Sequence, residues 1–331
     1  VSALSDVARL ADVSTATASR ALSGRGYVAA ETRDRVVAAA AEVGYFGTPS
    51  SSMPFPSSRA VGVVVPHMNH WYFGSVLEGI EAALALSDAE LVLRRLTRNP
   101  LERRRAFETL MMHTGVAAVI AVGIESGDEV ASLLQSLDRP FVSVGGPVGG
   151  AAGISIDDHA AGALITRHLA SLGHQRILHL GADATGDAGL AVHTRRLAGY
   201  REAMTDAGLG PRIAVHTAPL SVPGGYAAGL AILADPRTRP TAIAAGSDEL
   251  AIGVIIAARQ LGIQVPDQLS VIGIDDHELA EMFALTTLAQ DPAAQGAEAV
   301  RLALAERADP NPGWIEHPAR LVVRGSTRAP Q

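Results

Sequence analysis

From residue 60 onward the chain repeats one pattern: a short apolar run, a longer amphipathic stretch, then another apolar run. The runs are Val61–Val65, Glu90–Leu93, Ala117–Val122, Phe141–Val144, Ile177–Leu180, Ile213–His216, Ala242–Ala245, Ser270–Ile274 and Leu285–Ala289. Many are continuously apolar rather than alternating, which suits strands buried on both faces of a parallel sheet. Helical periodicity fills the gaps, for example in Phe73–Leu86, His159–Leu172, Arg195–Ala207, Tyr226–Leu233, Glu249–Leu261 and Pro292–Ala305. This alternation predicts an open parallel α/β architecture, and a chain of 331 residues has room for two such sheets. Ligands of these sheets sit beyond the carboxyl ends of the strands, so the loops that follow strands are where a site is sought.

The first 46 residues are different: helical in pattern and free of proline. Residues 47–59, GTPSSSMPFPSSR, form a Pro/Ser-rich linker. In the head, Ser5 is a candidate N-cap for a first helix with Val7, Ala8, Leu10 and Ala11 as its apolar set. Asp12-Val13-Ser14 is a break of helix–turn–helix size. Ser14 can cap a second helix, about Thr15–Leu22, that buries Ala18, Ala21 and Leu22. A third, about Thr32–Val43, has Val36, Val37, Ala40 and Val43 as its core face. The second helix carries a cluster of hydroxyls and one Arg at its start, chemistry that suits phosphates and base edges in a major groove. Charge agrees. Residues 1–60 hold six Arg against five acids, a net +1, so the rest of the chain carries −8 of the total −7. The head tolerates a polyanion and the bulk repels one.

The residues Asp6-Val7-Ala8, Ala11, Val13-Ser14, Thr17, Ser19-Arg20, Leu22, Val28, Glu31-Thr32-Arg33, Arg35-Val36 and Gly44-Tyr45 resemble the N-terminal signature of the LacI/GalR family of bacterial transcription regulators. The resemblance continues through Val61–Pro66, Gly79-Ile80-Glu81, Leu172-Gly173-His174, Arg196–Tyr200, Ser270–Asp276 and Leu321–Thr327. It implies a three-helix head of residues 1–46, a hinge linker of 47–59, and an effector-binding and dimerising core of 60–331 resembling periplasmic binding proteins. Within that core it implies one lobe of about 60–160 and 291–320, and a second of about 161–290 plus the C-terminal tail. It also implies a homodimer bound to double-stranded operator DNA, and a repressor controlled by a small effector, sugar-like or nucleobase-like, held between the lobes.

In the head, Thr15 and Ala16 fall where the family reads bases. Arg20 falls at its third specificity position, where it can be bidentate to guanine or hold a phosphate. Ser14, Thr17, Ser19 and Thr32 are expected to position the backbone. Asp12 stands where the turn usually has Gly, and Ala29 where an N-cap Ser is usual. Pro49, Pro54 and Pro56 argue against the family's short hinge helix, Pro54 standing where a Leu normally wedges into the minor groove. In the core, His67, Trp71, Tyr72 and Phe73 follow the first strand and are expected at the effector. Arg196 and Asp275 are expected to grip its polar groups, or to pair with each other in the empty state. Leu220, Ser247 and Gln290 occupy further contact positions.

The absence of Cys removes disulfides, thiolate metal sites and a thiol nucleophile. No apolar run reaches the ~18 residues of a membrane span, and the N-terminal stretch has no secretory pattern, so a soluble cytoplasmic protein with no membrane partner is expected. No GxSxG elbow, P-loop, HExxH or strand-linked GxGxxG is found, so neither catalysis nor a cofactor is expected. His67 and His70 lack nearby carboxylates in sequence, so no metal is expected. The alternative reading is a solute-binding protein with no DNA-binding role.

Overall fold

The computed structural model describes residues 4–23, 28–43, 59–96, 99–112, 116–124, 139–146, 152–183, 191–305 and 313–331. The linker at 47–58, Pro54 included, lies outside the described residues. The chain divides into two compact units, Val1–Arg59 and Ala60–Gln331.

In the smaller unit, α1 (Leu4–Leu10), α2 (Thr15–Ser23) and α3 (Ala30–Glu42) pack around Val7, Ala8, Ala11, Ala18, Ala21, Val36, Ala39 and Ala40. Alanine dominates this core because three short helices crossing closely leave little room for larger side chains. Two expected core residues face water instead: Leu10 is 43% exposed and Val37 52% exposed. Ala39 is interior, three residues on from Val36, while the larger Val37 lies about 200° round the helix from it. Ser5 lies inside α1 and is not its cap.

The larger unit contains two six-stranded sheets. The first runs in the order β2 (Ala89–Arg95), β1 (Arg59–Val65), β3 (Val116–Val122), β4 (Phe141–Val144), β5 (Ala152–Ser155), β11 (Trp314–Glu316). The second runs β7 (Ala214–Ala218), β6 (Ile177–Ala182), β8 (Ala242–Ala245), β9 (Ser270–Asp275), β10 (Thr286–Ala289), β12 (Arg320–Val322). Pairing is parallel from β1 through β3, β4 and β5 to β11, and from β7 through β6, β8 and β9 to β10; only β12 joins antiparallel to β10 among the pairings described. Both sheets thus share the doubly wound order 2-1-3-4-5. Three strands escape the sequence reading. The run of β5 is short and built of small residues, and β11 and β12 are three residues each, too brief for any periodicity.

Helices α4 (Trp71–Leu86), α5 (Pro100–Met112) and α10 (Pro292–Ala303) cover the first sheet. The second is covered by α6 (Asp158–Ser171), α7 (Ala191–Asp206), α8 (Val222–Leu233) and α9 (Asp248–Gln260). The chain therefore passes between lobes three times: after β5, after β10, and between β11 and β12. Helix pairs α4/α10, α6/α7 and α8/α9 each cross on reciprocal glycines. A Cβ on Gly162 would lie 2.0 Å from the Arg196 carbonyl, and one on Gly199 2.0 Å from the His159 carbonyl. These crossings fix where Arg196 stands on the cleft.

Candidate functional site

In the head, the turn after α1 is closed by Asp12 at φ +52°, the left-handed conformation for which glycine is the usual residue. Asp tolerates it because its short polar side chain can bond locally. α2 then starts on Ser14, whose Oγ accepts from the Thr17 N–H at 3.1 Å. The Thr17 hydroxyl lies 2.8 Å from Ser14 Oγ, and Arg20 folds back to donate to Thr17 Oγ1 and to the Ala16 carbonyl, at 3.4 and 3.2 Å. Ser14, Thr15, Ala16, Ser19 and Arg20 are exposed, while Thr17 and Thr32 are half-buried. α3 begins without a side-chain cap: Ala29 only accepts the Arg33 N–H, through its carbonyl, at 3.0 Å. The outer face of α2 therefore offers hydroxyls, one methyl and one guanidinium, none held by a carboxylate contact among the described residues.

In the core, a cleft of about 570 Å³, open solvent at its mouth included, lies between the sheets. Loops after the C-terminal ends of strands in both sheets wall it. His70, Tyr72 and Phe73 follow β1, Gly123 follows β3 and Gly145 follows β4. From the second lobe come His193 and Arg196 after β6, Leu220 after β7, and Ser247 and Glu249 after β8. Asp275 closes β9, and Gln290 sits on the passage after β10. Of the residues expected here, Tyr72, Phe73, Arg196, Leu220, Ser247, Asp275 and Gln290 share this cleft. His67 and Trp71 do not line it. His67 packs edge-on against His70, centroids 4.6 Å apart, and Trp71 lies against the His277 ring at 5.1 Å.

Four side chains, Gln295 and Asp275 buried and Tyr72 and Gln290 half-buried, connect the lobes in one relay. The Tyr72 hydroxyl donates to Gln295 Oε1 at 2.8 Å, Gln295 Nε2 donates to Gln290 Oε1 at 3.0 Å, and Gln290 Nε2 donates to Asp275 Oδ1 at 2.7 Å. Burial, with the Asp158 charge adding to it, pushes the Tyr72 hydroxyl far up, so it stays a donor. A second contact crosses nearby: His70 Nδ1 stands 3.5 Å from Glu249 Oε2, without hydrogen-bond geometry.

Arg196 does not pair with Asp275. Its Nε donates to Asp158 Oδ1 at 2.9 Å and its Nη1 to the Gly246 carbonyl at 2.5 Å. Asp158 is not recognisable from sequence, because it begins α6 behind the capping residue Asp157 and reads as an ordinary acidic first turn. Burial pushes Asp158 upward while Arg196 pulls it back. Asp275 sits at φ +132° and Asp276 at φ +59°, a strained bend that aims the carboxylate into the cleft. Behind it Asp248 accepts from the Thr287 hydroxyl at 2.7 Å and the His277 N–H at 2.9 Å. It fits there because β9 has glycine at 273: a Cβ would lie 2.0 Å from Asp248 Oδ1. Burial raises both carboxyls, Asp248 to about 8 with the Asp275 charge adding to it, and Asp275 to about 6 with Arg196 pulling it back and Glu249 and Asp158 pushing it up, so the pair retains a proton near neutrality. Ser247 spends its hydroxyl on capping α9 at the Leu250 N–H, 3.4 Å away.

Residues 3–47 match the model of bacterial regulatory proteins of the lacI family, and residues 166–327 that of a periplasmic binding protein-like domain. The HTH-type transcriptional regulator DegA of Bacillus subtilis (strain 168) is 31% identical over 97% of both chains. The HTH-type transcriptional regulator MalR of Streptomyces coelicolor is 34% identical over 98% of this chain and 96% of its own. The chain belongs to the LacI family. It is a DNA-binding transcriptional regulator. Among solved structures, the lac repressor dimer bound to operator and the anti-inducer ONPF superposes with a TM-score of 0.79 at 25% identity, covering 99% of each chain. Among the described residues of this LacI-family chain, no helix is long and apolar enough to cross a membrane, and no group of three His, Asp or Glu is arranged to hold a metal ion.

Proposed function

We propose that α2 reads operator DNA and that a small effector in the cleft sets how tightly it does so. Thr15 and Ala16 contact base edges, the Ala16 methyl suiting a thymine methyl. Arg20 leaves its intrahelical bonds for guanine or phosphate. Ser14, Thr17, Ser19 and Thr32 fix the backbone register. The protein acts as a homodimer on a two-fold symmetric site, as the lac repressor relative does on its operator. It works in the cytoplasm, where the DNA is, and catalyses no reaction.

The observation that carries the effector half of the proposal is the relay from Tyr72 to Asp275. It spans the two lobes at the place where a ligand would lie, so a ligand that engages Asp275 or Gln290 changes what holds the lobes together. Arg196 and Asp275 supply charge for hydroxyls or a base edge, with Tyr72, Phe73 and Leu220 as apolar walls. The effector shifts DNA affinity only as far as its affinities for the two lobe arrangements differ. A sugar or related metabolite fits that set best.

The test is a selection of duplexes from a random library by the full-length protein, followed by titration at several salt concentrations. Binding is expected to weaken steeply with salt, and Arg20→Ala to lower affinity for the selected site. A protein that enriches no sequence, or whose Arg20→Ala variant binds unchanged, would contradict the DNA half. Effector binding that leaves the selected site's affinity untouched would contradict the other, and binding of solute without any DNA binding would favour a plain solute-binding protein.

A further inference from the structure

The cleft is short of positive charge. Among the described residues that line it, Asp158, Glu249 and Asp275 are carboxylates and Arg196 is the sole guanidinium. The chain has no Lys to add. Asp158 accepts from Arg196 Nε, and the Gly246 carbonyl accepts from its Nη1. His193 is held well below its ordinary value by burial and then by the Arg196 charge, so it stays neutral. Burial also lowers His277, against the pull of Glu249 and Glu278. Glu249 and Asp275 are thus left without a guanidinium.

Glu249 is not one of the positions expected at the effector, and its surroundings are unusual. It stands in the first turn of α9, where the positive end of a helix favours any acid. An acid in that role normally faces water, yet the Glu249 side chain is 15% exposed and takes no hydrogen bond from the described residues. His70 Nδ1, across the cleft, approaches it to 3.5 Å without hydrogen-bond geometry. The Glu249 oxygens are not sealed and open on the cleft. Asp275, 7% exposed, accepts from Gln290 on Oδ1, while its Oδ2 takes no bond from the described residues. The two carboxylates feel each other: the Glu249 charge adds to the burial that pushes Asp275 up. A half-desolvated carboxylate without a donor is costly, and a charged donor offsets that cost better than a neutral one.

We propose that Glu249 and Asp275 together hold a protonated amine of the effector, which is a cationic amine such as an amino sugar and not its neutral parent. An ammonium brings several N–H donors, enough for Glu249 and for Asp275 Oδ2. The Tyr72 and Phe73 rings flank the same space and favour a cation over their faces. A neutral ring offers hydroxyls one by one and leaves the charge of both carboxylates uncompensated. A phosphorylated or carboxylated ligand meets repulsion from both. Glu249 is then the residue that selects for charge. This rests on the reading of the cleft as an effector site.

The test is calorimetric titration of the full-length protein with glucosamine, galactosamine and mannosamine, each against its parent sugar and its N-acetyl form, and with benzylamine against benzyl alcohol. At least one amine is expected to bind about tenfold or more tighter than its neutral counterparts, a difference of about 1.4 kcal/mol. Raising the pH until the amine loses its proton should remove that preference. Glu249→Gln should bring the ratio close to one and Asp275→Asn should lower it, whereas Glu249→Asp, which keeps the charge, should retain most of it; thermal melts establish that each variant is folded. No preference for any amine, a preference that survives in Glu249→Gln, or no binding by any of these compounds overturns the proposal. A neutral sugar that binds as tightly as its amine and alters DNA affinity would sink the charge selection alone. An amine held through Glu249 that leaves DNA affinity unchanged would sink the regulatory reading and keep the charge selection.

Discussion

Arg196 and Asp158 form a pair whose side chains are 6% and 4% exposed. Removing one member of such a pair leaves the other charged and dry, a cost of about 3–5 kcal/mol. Arg196→Ala is therefore expected to destabilise the core by that order in denaturant unfolding, in addition to weakening effector binding; the double variant Arg196→Leu/Asp158→Leu should recover much of the stability and none of the binding. The Asp248–Asp275 pair sets a pH limit. Both carboxyls are raised above their unfolded values, so the folded core holds protons that the unfolded chain releases. Their contribution is present at low pH and is lost as pH rises through about 6 and then about 8. The histidines lowered by burial, His174, His179 and His277 among them, act in the other direction and cost stability as pH falls below their ordinary value. Thermal melts should show a maximum near neutrality and a fall on the order of 1 kcal/mol between about pH 7 and pH 9. Asp248→Asn, which cannot ionise, should flatten that alkaline limb. An unaltered limb in the variant would assign the fall to other groups.

At the level of elements, what brings the site residues together is the approach of helix pairs on glycine. A methyl at Gly199 has no space against the His159 carbonyl, and the backbone there cannot swing aside as a side chain would. Gly199→Ala should cost about 1–3 kcal/mol through overpacking. It should also displace Arg196, three residues earlier on α7, and so reduce ligand affinity; chemical unfolding and calorimetry on the same variant check both effects. In the head, the Ser14 cap is worth about 1 kcal/mol to α2. Ser14→Ala should lower the stability of the head and weaken DNA binding, whereas Ser14→Asp should restore the cap and still bind DNA poorly, because a carboxylate faces the phosphates. The head helices were legible from spacing, and α2 also from its Ser14 cap, whereas the cap expected at Ser5 lies inside α1. Their inward faces were less so: size favours Val37, but the i, i+3, i+4 spacing of Val36, Ala39 and Ala40 puts the smaller Ala39 inside and Val37 outside.

For the molecule as a whole, the split between residues 1–60, net +1, and the acidic remainder, net −8, predicts salt-dependent DNA binding through the first segment and no polyanion binding by the core. The sequence by itself determined the α/β class, the separate helical head and most of the strands, since each is written in local periodicity and in burial on both faces of a strand. Seven of the residues that the cleft brings together were named through the resemblance of their motifs to the LacI/GalR family's, and the strand ends they follow explain why they converge. The tertiary structure decided who partners whom. Asp158 takes Arg196 from Asp275, and Gln295 links Tyr72 to Gln290. The Asp158–Arg196 and Tyr72–Gln295 bonds join residues 38 and 223 positions apart. No local pattern encodes them, because they depend on how two sheets and their helix pairs close on one another.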